Sequence, residues 1–368
     1  MTPSQPRKIL FRVDSSQVIG TGHVMRCVML ARQLASQGAQ CHFICADLPG
    51  HLGDEITGWG FGLILMAATG RDRVSATDYS TWSGLPWAED AALTQRALSQ
   101  MAADWLVVDH YGLEARWEEA VLAAGTRCLV MDDLANRPHM ATILVDPVLG
   151  REEETYRPLV PKSCTLLLGP RYALLRPEFA ELRETALKAR VTRPLHRILI
   201  SMGGVDLPNA TGEVLNALGD TNLARDLDVT VVLGRTSPHL DQVKAQARAL
   251  PFDCKVAVDV ADMHERMAQA DLAIGAAGGT AWERCVLGLP TLMLTIADNQ
   301  VPGANALDKA GAAIYLGSLH EATWPTALAD SLLRLQNPDA LAAMSKAASS
   351  LCDGRGADRL AQAVLSID

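Results

Sequence analysis

Short apolar runs alternate with amphipathic segments along the chain, and this pattern predicts strands that alternate with helices. The predicted strands are residues 9–13, 41–46, 63–66, 105–109, 127–131, 143–146, 197–202, 229–233, 255–258, 271–275 and 291–295. Helical spacing is clearest at residues 23–37, 115–124, 211–218 and 281–287. Apolar strands separated by helices are typical of parallel sheets that helices cover on both faces.

A charged, helix-prone stretch at residues 177–196, broken by Pro194, separates the two series of strands. It predicts an N-terminal domain of residues 1–190 and a C-terminal domain of residues 191–368. The expected fold class is α/β, with two Rossmann-like, doubly wound domains. Two such domains facing each other leave an interdomain ligand cleft at the carboxyl ends of their sheets.

Composition narrows the class of protein. With 368 residues, 49% apolar content and a formal charge of −9, the chain lacks the basic balance of a nucleic-acid binder. No apolar run is long enough to span a bilayer, and the N-terminal MTPSQPRK has no apolar signal core. The eight cysteines are scattered, several in apolar strands, as reduced core thiols are. Successive strand residues point to opposite faces, so Cys41, His42 and Cys45 do not predict a metal site. We expect a cytoplasmic protein.

The first strand runs into Gly20, Thr21 and Gly22, which place His23 at the start of an amphipathic helix. A strand, a glycine turn and a helix N-terminus form a site for negative charge. The positive end of the helix dipole disfavours the imidazolium, and a neutral histidine can act as a general base. An ordinary N-cap region is the alternative for His23, and Arg26 could lie at the surface or face the same cleft.

The same turn, GTGHVM, matches two glycines of a dinucleotide fingerprint, but Met25 stands at the third position. Asp47, at the end of the next strand, fits a ribose-binding acid. A histidine in the phosphate turn is not a feature of that fingerprint, so NAD binding is the weaker interpretation.

Polar residues also follow two other strands of the N-terminal half. Asp109, His110 and Tyr111 come at the end of an apolar strand, a position that faces the ligand crevice of an open parallel sheet. A solvated loop with a packed tyrosine is the alternative. The acids of Met131-Asp132-Asp133, with His139 beyond them, are interpreted as capping residues. The sequence thus favours Tyr111 as a site residue over this acidic pair.

The C-terminal half has two glycine-rich turns of its own. Gly203 and Gly204 precede Asp206 and Asn209, whereas Gly278, Gly279 and Thr280 precede Glu283. Such turns can present backbone N–H groups to a diphosphate, and a carboxylate just beyond can accept hydrogen bonds from both ribose hydroxyls. Glu283 also fits a capping box with Thr280. Neither turn continues into Lys-Ser/Thr, which disfavours a Walker-type nucleotide hydrolase.

Asp298, Asn299 and Gln300 follow another apolar strand. Their side chains are expected to project into the cleft, where amides can bind sugar hydroxyls or acetamido groups. An ordinary asparagine turn before a helix is the alternative.

Several motifs occur together in an order known from one enzyme family: FRVDSSQVIGTGHVMRC, VDHYGLEARW, LGPRYALLRPEF, SMGGVDLPN, GGTAWE and DNQ. From about residue 8 to about residue 315 the chain resembles the UDP-2,4-diacetamido-2,4,6-trideoxy-β-L-altropyranose hydrolases of pseudaminic acid biosynthesis. The first motif is specific, whereas the glycine-rich turns also fit the wider superfamily, which includes the lipid II-forming N-acetylglucosaminyltransferase.

The resemblance implies a glycosyltransferase B-type fold, with UDP held mainly by the C-terminal domain. It implies inverting hydrolysis of the anomeric C–O bond, without a metal or cofactor, to UDP and 2,4-diacetamido-2,4,6-trideoxy-L-altrose. The family's catalytic histidine falls on His23, its active-site tyrosine on Tyr111 and its N-Q asparagine on Asn299. The ribose-binding glutamate of the superfamily falls on Glu283.

Asp14 is expected to hydrogen-bond near His23, and the sequence leaves open whether it orients the ring. The residues expected to bind substrate are Asp14, Gly22, Arg26, Arg176, Gly203, Gly204, Asp206, Asn209, Gly278, Gly279, Thr280, Glu283 and Gln300. Extra sequence at residues 67–89 and at the C-terminus has no assigned role. The expected partner is a small UDP-sugar, and neither nucleic acid nor a membrane. A glycosyltransferase of the same fold and a non-catalytic nucleotide-sugar-binding protein remain as alternatives.

Overall fold

A computed structural model describes residues 6–70, 74–123, 125–191, 193–221 and 227–367. Its strands are β1 (Lys8–Val13), β2 (Gln40–Ala46), β3 (Gly62–Met66), β4 (Trp105–Asp109), β5 (Arg127–Met131), β6 (Ile143–Asp146), β7 (Thr165–Leu168), β8 (Arg197–Ser201), β9 (Asp228–Leu233), β10 (Asp253–Val258), β11 (Leu272–Ala276), β12 (Thr291–Thr295) and β13 (Ile314–Ser318). Its helices are α1 (Gly22–Ser36), α2 (Gly53–Gly58), α3 (Trp87–Met101), α4 (Ala115–Val121), α5 (Glu153–Tyr156), α6 (Pro177–Arg190), α7 (Ala210–Gly219), α8 (Leu240–Ala249), α9 (Met263–Gln269), α10 (Thr280–Val286), α11 (Val301–Lys309), α12 (Trp324–Leu335), α13 (Pro338–Leu351) and α14 (Gly356–Ser366).

The chain divides into two compact units. Unit 1 comprises Met1–Leu175 and Arg355–Asp368, and unit 2 comprises Arg176–Gly354. This division differs from the expected boundary after residue 190 because α6 belongs to unit 2, where the buried Arg190 donates to the carbonyls of Leu287 and Ala270. The final helix, α14, belongs to unit 1 and buries its apolar face in the core of that unit.

Unit 1 contains a seven-stranded parallel sheet in the order β3-β2-β1-β4-β5-β6-β7. Side chains of adjacent residues leave a strand on opposite faces. Accordingly Phe11 and Val13 of β1 pack into one core with α1 and α14, whereas Leu10 packs into a second core with Trp117 of α4. In the register of the sheet, Val13 lies beside Asp109 of β4, so the two strands end side by side.

Unit 2 contains a six-stranded parallel sheet in the order β10-β9-β8-β11-β12-β13. Ser201 of β8 pairs with Gly275 of β11, and Ala276 of β11 pairs with Leu294 of β12. The turns that follow these three strands therefore emerge at the same edge of the sheet.

The predicted strands are each present, and the predicted class of two Rossmann-like, doubly wound domains is confirmed. The strands β7 and β13 were not predicted. The first is a short edge strand that is not fully buried, and the second contains Gly317, which weakens its strand pattern. The predicted helix 115–124 ends at Val121, and Ala124 lies outside the described residues, as do residues 1–5 of the N-terminal segment. Of the described helices, none combines the length and the apolar character that a membrane crossing requires.

Candidate active site

The carboxyl ends of β1 and β4 bring His23 and Asp109 together in unit 1. His23 is the second residue of α1, which begins at Gly22 of the glycine turn, and Asp109 is the last residue of β4. The imidazole Nδ1 of His23 lies 2.7 Å from Oδ1 of Asp109. The side chain of His23 is 11% exposed, whereas that of Asp109 is fully buried. The partly accessible His23 thus forms a hydrogen bond with the buried carboxylate of Asp109.

Asp109 is ionised in this environment. Burial alone would raise the pKa of its carboxyl, but Arg26 and His23 outweigh burial and hold the pKa well below its usual range. Arg26 donates to both carboxylate oxygens, with Nη2 at 2.6 Å from Oδ1. Nδ1 of His23 also lies 3.2 Å from Nη2 of Arg26, but its contact with Asp109 is shorter. Because an ionised carboxylate only accepts, this shorter contact places the proton of a neutral His23 on Nδ1, which donates to Asp109. The Nε2 lone pair is then available to take a proton, as a general base requires.

Arg26 connects this pair to Tyr111. Its Nη1 lies 3.1 Å from a carboxylate oxygen of Asp133, and the hydroxyl of Tyr111 donates to the other oxygen at 2.5 Å. Burial and the nearby Asp133 raise the pKa of Tyr111, so the phenol stays protonated. Tyr111 therefore belongs to a hydrogen-bonded group with His23, Arg26, Asp109 and Asp133, here called the His23 cluster. In it, Tyr111 is a neutral hydrogen-bond donor of fixed direction.

Aromatic rings surround the imidazole of His23. Tyr111 meets it at 87° with ring centroids 4.7 Å apart, and Trp82 meets it at 84° with centroids 5.5 Å apart. Trp82 comes from the extra sequence at residues 67–89, to which the sequence pattern assigned no role. Asp109, Asp133 and Trp82 are thus site residues that the sequence did not assign. The only advance signal was the position of the two acids after neighbouring strands.

Asp14 is not the carboxylate that contacts His23. It continues β1 on the opposite face from Val13, where it binds Arg12 at 2.7 Å and accepts from the backbone N–H of Ala46. Its second oxygen lies 3.1 Å from Nε2 of His110. Burial lowers the pKa of His110, which therefore stays neutral. Asp14 therefore links the ends of β1 and β2 on the opposite face of the sheet and does not orient the His23 ring.

The two acids after β5 differ from each other. Asp132 accepts from the backbone N–H groups of Leu134 and Ala135, so it caps the turn after β5, where no helix begins. His139 pairs with the buried Glu118 at 2.7 Å, away from this cluster. Asp133 instead points to Arg26 and Tyr111. Only one member of the pair is therefore a capping residue.

In unit 2, the turn after β8 is shaped by its backbone. Gly203 has φ +120°, and Asp206 and Asn209 adopt left-handed conformations with φ +46° and +58°. Both carboxylate oxygens of Asp206 accept from the first N–H groups of α7, those of Ala210 and Thr211. An added Cβ at Gly204 would meet no atom within 4 Å, so its backbone is open to approach. Asp206 builds the turn, and the two glycines leave it accessible.

The turn after β11 is open as well, since a Cβ at Gly278 or Gly279 would meet no atom within 4 Å. The capping box between Thr280 and Glu283 does not form, because Gly279 is the N-cap of α10 and no side chain caps the helix. Burial raises the pKa of Glu283 to about 7, although Arg176 and Arg284 partly offset the effect. Glu283 therefore does not cap α10, and its carboxyl group lies near the guanidinium of Arg176.

The turn after β12 places Asn299 and Gln300 at the same edge of the unit 2 sheet. Asp298–Gln300 form a 3₁₀ turn in which Oε1 of Gln300 accepts from the N–H of Ile296 at 3.0 Å. Asn299 is exposed. The structure therefore groups the expected residues into two sets, each within one unit. Unit 1 holds Asp14, Gly22, His23, Arg26 and Tyr111, and unit 2 holds Arg176, Gly203, Gly204, Asp206, Asn209, Gly278, Gly279, Thr280, Glu283, Asn299 and Gln300.

Sequence comparison finds a family match in the C-terminal half and relatives along most of the chain. Residues 201–362 match the model of the glycosyltransferase family 28 C-terminal domain. The UDP-2,4-diacetamido-2,4,6-trideoxy-β-L-altropyranose hydrolase of Campylobacter jejuni is 26% identical over 306 residues, which cover 83% of this chain and 97% of that protein. The spore coat polysaccharide biosynthesis protein SpsG of Bacillus subtilis is 31% identical over 193 residues, covering 52% of this chain and 56% of that protein.

Solved structures show the fold. MurG of Acinetobacter baumannii superposes with a TM-score of 0.69 at 16% identity, covering 98% of this chain and all of that one. The UDP co-structure of MnaA of Staphylococcus aureus superposes with a TM-score of 0.60 at 11% identity, each chain being 98% covered. The predicted resemblance and fold class are thereby confirmed: the chain is similar to the Campylobacter hydrolase along most of its length and has two Rossmann-like domains of the glycosyltransferase B type.

Proposed function

We propose that this protein is an enzyme that hydrolyses UDP-2,4-diacetamido-2,4,6-trideoxy-β-L-altropyranose to UDP and the free sugar. The observation that carries the proposal is the hydrogen bond between His23 and the buried, ionised Asp109, which leaves Nε2 as the basic atom. The similarity to the Campylobacter hydrolase supports the choice of substrate.

In the proposed reaction, Nε2 of His23 takes a proton from a water molecule as the water oxygen attacks the anomeric carbon. The C–O bond to UDP breaks on the opposite face, and its electron pair leaves with the diphosphate, so the configuration inverts. The imidazolium that forms is stabilised by the carboxylate of Asp109, 2.7 Å from Nδ1. We assign the orientation of the sugar or the water to Tyr111, which Asp133 fixes, and the same role to Asn299 on the resemblance of its N-Q motif.

The leaving diphosphate gains negative charge in this step. We assign its stabilisation to backbone N–H groups in the turns at Gly203-Gly204 and Gly278-Gly279, where added side chains would meet open space. Donors already oriented toward developing charge need no reorganisation during the reaction. Glu283 is assigned to the ribose hydroxyls, and Arg176 lies near enough to lower its pKa.

The affinity for UDP is expected to rise with pH through about 7. Burial raises the pKa of Glu283 to about 7, and only the ionised carboxylate accepts from both ribose hydroxyls. Below pH 7, the ionised fraction of Glu283 falls by about tenfold per pH unit, and the part of the UDP affinity that Glu283 contributes should fall with it. Calorimetric titration of UDP across this range measures the effect. Glu283→Gln is the matched control, because the pH dependence that it retains belongs to the phosphate of UDP. Parallel curves for the two proteins would remove Glu283 from the ribose site.

The reaction itself is tested by UDP release from the altropyranose substrate in the presence of a chelator and without an acceptor. UDP-N-acetylglucosamine serves as the control substrate. Rapid release from the altropyranose derivative alone, with inversion observed by NMR, is the expected result. Absence of release from either compound contradicts the proposal.

A glycosyltransferase is the second candidate, and the match of residues 201–362 to the family 28 domain favours it. It would use the same base to activate an acceptor hydroxyl in place of water. Turnover that begins only when a lipid or sugar acceptor is added would establish this alternative.

A further inference from the structure

Residues 75–85 form a short segment, here called the tryptophan segment, that packs against the His23 cluster. Trp82 is 5% exposed and contacts the rings of His23 and Tyr111, with the Tyr111 centroid 5.1 Å away. Tyr79 packs against both Trp82 and Tyr111, at 5.0 Å in each case. The segment thus supplies two rings to the aromatic surroundings of the imidazole.

Internal hydrogen bonds fix Trp82 within this segment. Its indole Nε1 donates to the carbonyl of Ser75 at 2.9 Å, and the N–H of Ser75 donates to Oγ1 of Thr81 at 2.9 Å. At the end of the segment, the carbonyl of Gly84 accepts from Gly70 at 2.7 Å. A buried indole with a satisfied N–H has one preferred orientation, so Trp82 is a rigid neighbour for His23.

Gly112 allows the segment to approach. A Cβ at this position would lie 2.2 Å from the carbonyl oxygen of Tyr79, a distance that no side chain tolerates. The φ angle of Gly112 is not positive, so the glycine is not required by its own backbone conformation. The glycine of the D-H-Y-G motif therefore serves the contact between the β4 loop and the tryptophan segment.

We propose that Trp82 is a positioning residue that holds the His23 imidazole in the orientation in which Nδ1 faces Asp109 and Nε2 faces the reacting water. This inference rests on the proposed function. The hydrogen bond to Asp109 fixes one atom of the ring, but the χ2 torsion of histidine is broad and roughly twofold. Two rings that meet the imidazole at 84° and 87° remove the remaining rotation.

Replacement of Trp82 by alanine is expected to lower kcat by about 10²-fold, the effect of misplacing a catalytic group by about 1 Å. The Kd for UDP should stay unchanged, since the residues that we assign to UDP lie in unit 2. Trp82→Phe should recover most of the turnover because it keeps an aromatic ring against His23. Trp87→Ala is the matched control: Trp87 is 38% exposed and stacks on Arg116, outside the cluster.

Gly112→Ala gives an independent test in which His23, Asp109 and Trp82 all remain. The new Cβ displaces the carbonyl of Tyr79 and with it the tryptophan segment. The expected result is a loss of kcat similar to that of Trp82→Ala. Wild-type turnover in both variants would overturn the proposal.

Long-range ¹H–¹⁵N NMR of labelled histidine reports the ring directly, without substrate. His23, assigned by comparison with His23→Gln, should show the Nδ1–H tautomer in the wild-type protein and mixed tautomers in Trp82→Ala and Gly112→Ala. A single tautomer in all three proteins would contradict positioning, even if turnover fell. If the wild-type protein releases no UDP, the proposed function fails, and this tautomer comparison still decides the role of Trp82.

Discussion

Replacement of His23 by glutamine is expected to lower kcat for UDP release by about 10²–10⁴-fold, the usual contribution of a positioned general base. Glutamine can still donate to Asp109, so the buried carboxylate keeps a partner, but it has no lone pair basic enough to accept the proton of water. The diphosphate and uridine are assigned to unit 2, and the Kd for UDP should therefore be unchanged.

A UDP-coupled assay gives kcat, and calorimetry gives the affinity for UDP. His320→Gln is the matched control, because His320 is an exposed histidine in the turn after β13 of unit 2. The proposed mechanism does not survive if His23→Gln turns over like the wild-type enzyme. A simultaneous loss of UDP affinity would show that the substitution acts on binding and not on proton transfer.

Asp109→Asn is expected to lower kcat by about 10²–10⁴-fold, nearly as much as His23→Gln, although it leaves the imidazole in place. The asparagine amide can donate toward Nδ1, which favours the tautomer with its proton on Nε2 and removes the base. The substitution also removes the negative charge that stabilises the imidazolium. Because Asp109 is fully buried, both effects act in a region of low dielectric.

The same substitution weakens folding by less than the about 3–5 kcal/mol that breaking a buried ion pair costs. Arg26 keeps Asp133 as a partner at 3.1 Å, and its side chain is 22% exposed. Thermal unfolding of Asp109→Asn, with the exposed Asp54→Asn as its control, separates loss of fold from loss of catalysis. If the folded variant kept wild-type kcat, Asp109 would have no role in setting the tautomer of His23.

The architecture could be predicted from the sequence because strands and helices follow from local patterns of apolar residues. Strands buried on both faces of a parallel sheet read as continuous apolar runs, and β1, β4, β8 and β11 are recognisable in this way. The same reasoning placed the glycine-rich turns after strands whose carboxyl ends share one edge of a sheet, and it placed His23 at the start of α1.

The partner of His23 could not be predicted in this way. Asp14 follows β1 directly and Asp109 is the last residue of β4. Because Val13 pairs with Asp109, the Asp14 side chain falls on the opposite face of the sheet. The choice between the two acids depends on the register between β1 and β4 as well as on the alternation within each strand. Register is a property of two distant segments, and no local pattern contains it.

The chain by itself thus determined two parallel sheets, the turns at their carboxyl ends and the histidine in one of those turns. The tertiary structure decided that Asp109 and Trp82 contact that histidine, that Asp133 binds Arg26 and Tyr111 beside it, and that α14 completes unit 1. The physical reason is the separation along the chain of the residues involved. Periodicity and turn chemistry act over a few neighbouring residues, whereas these contacts join segments that only packing brings together.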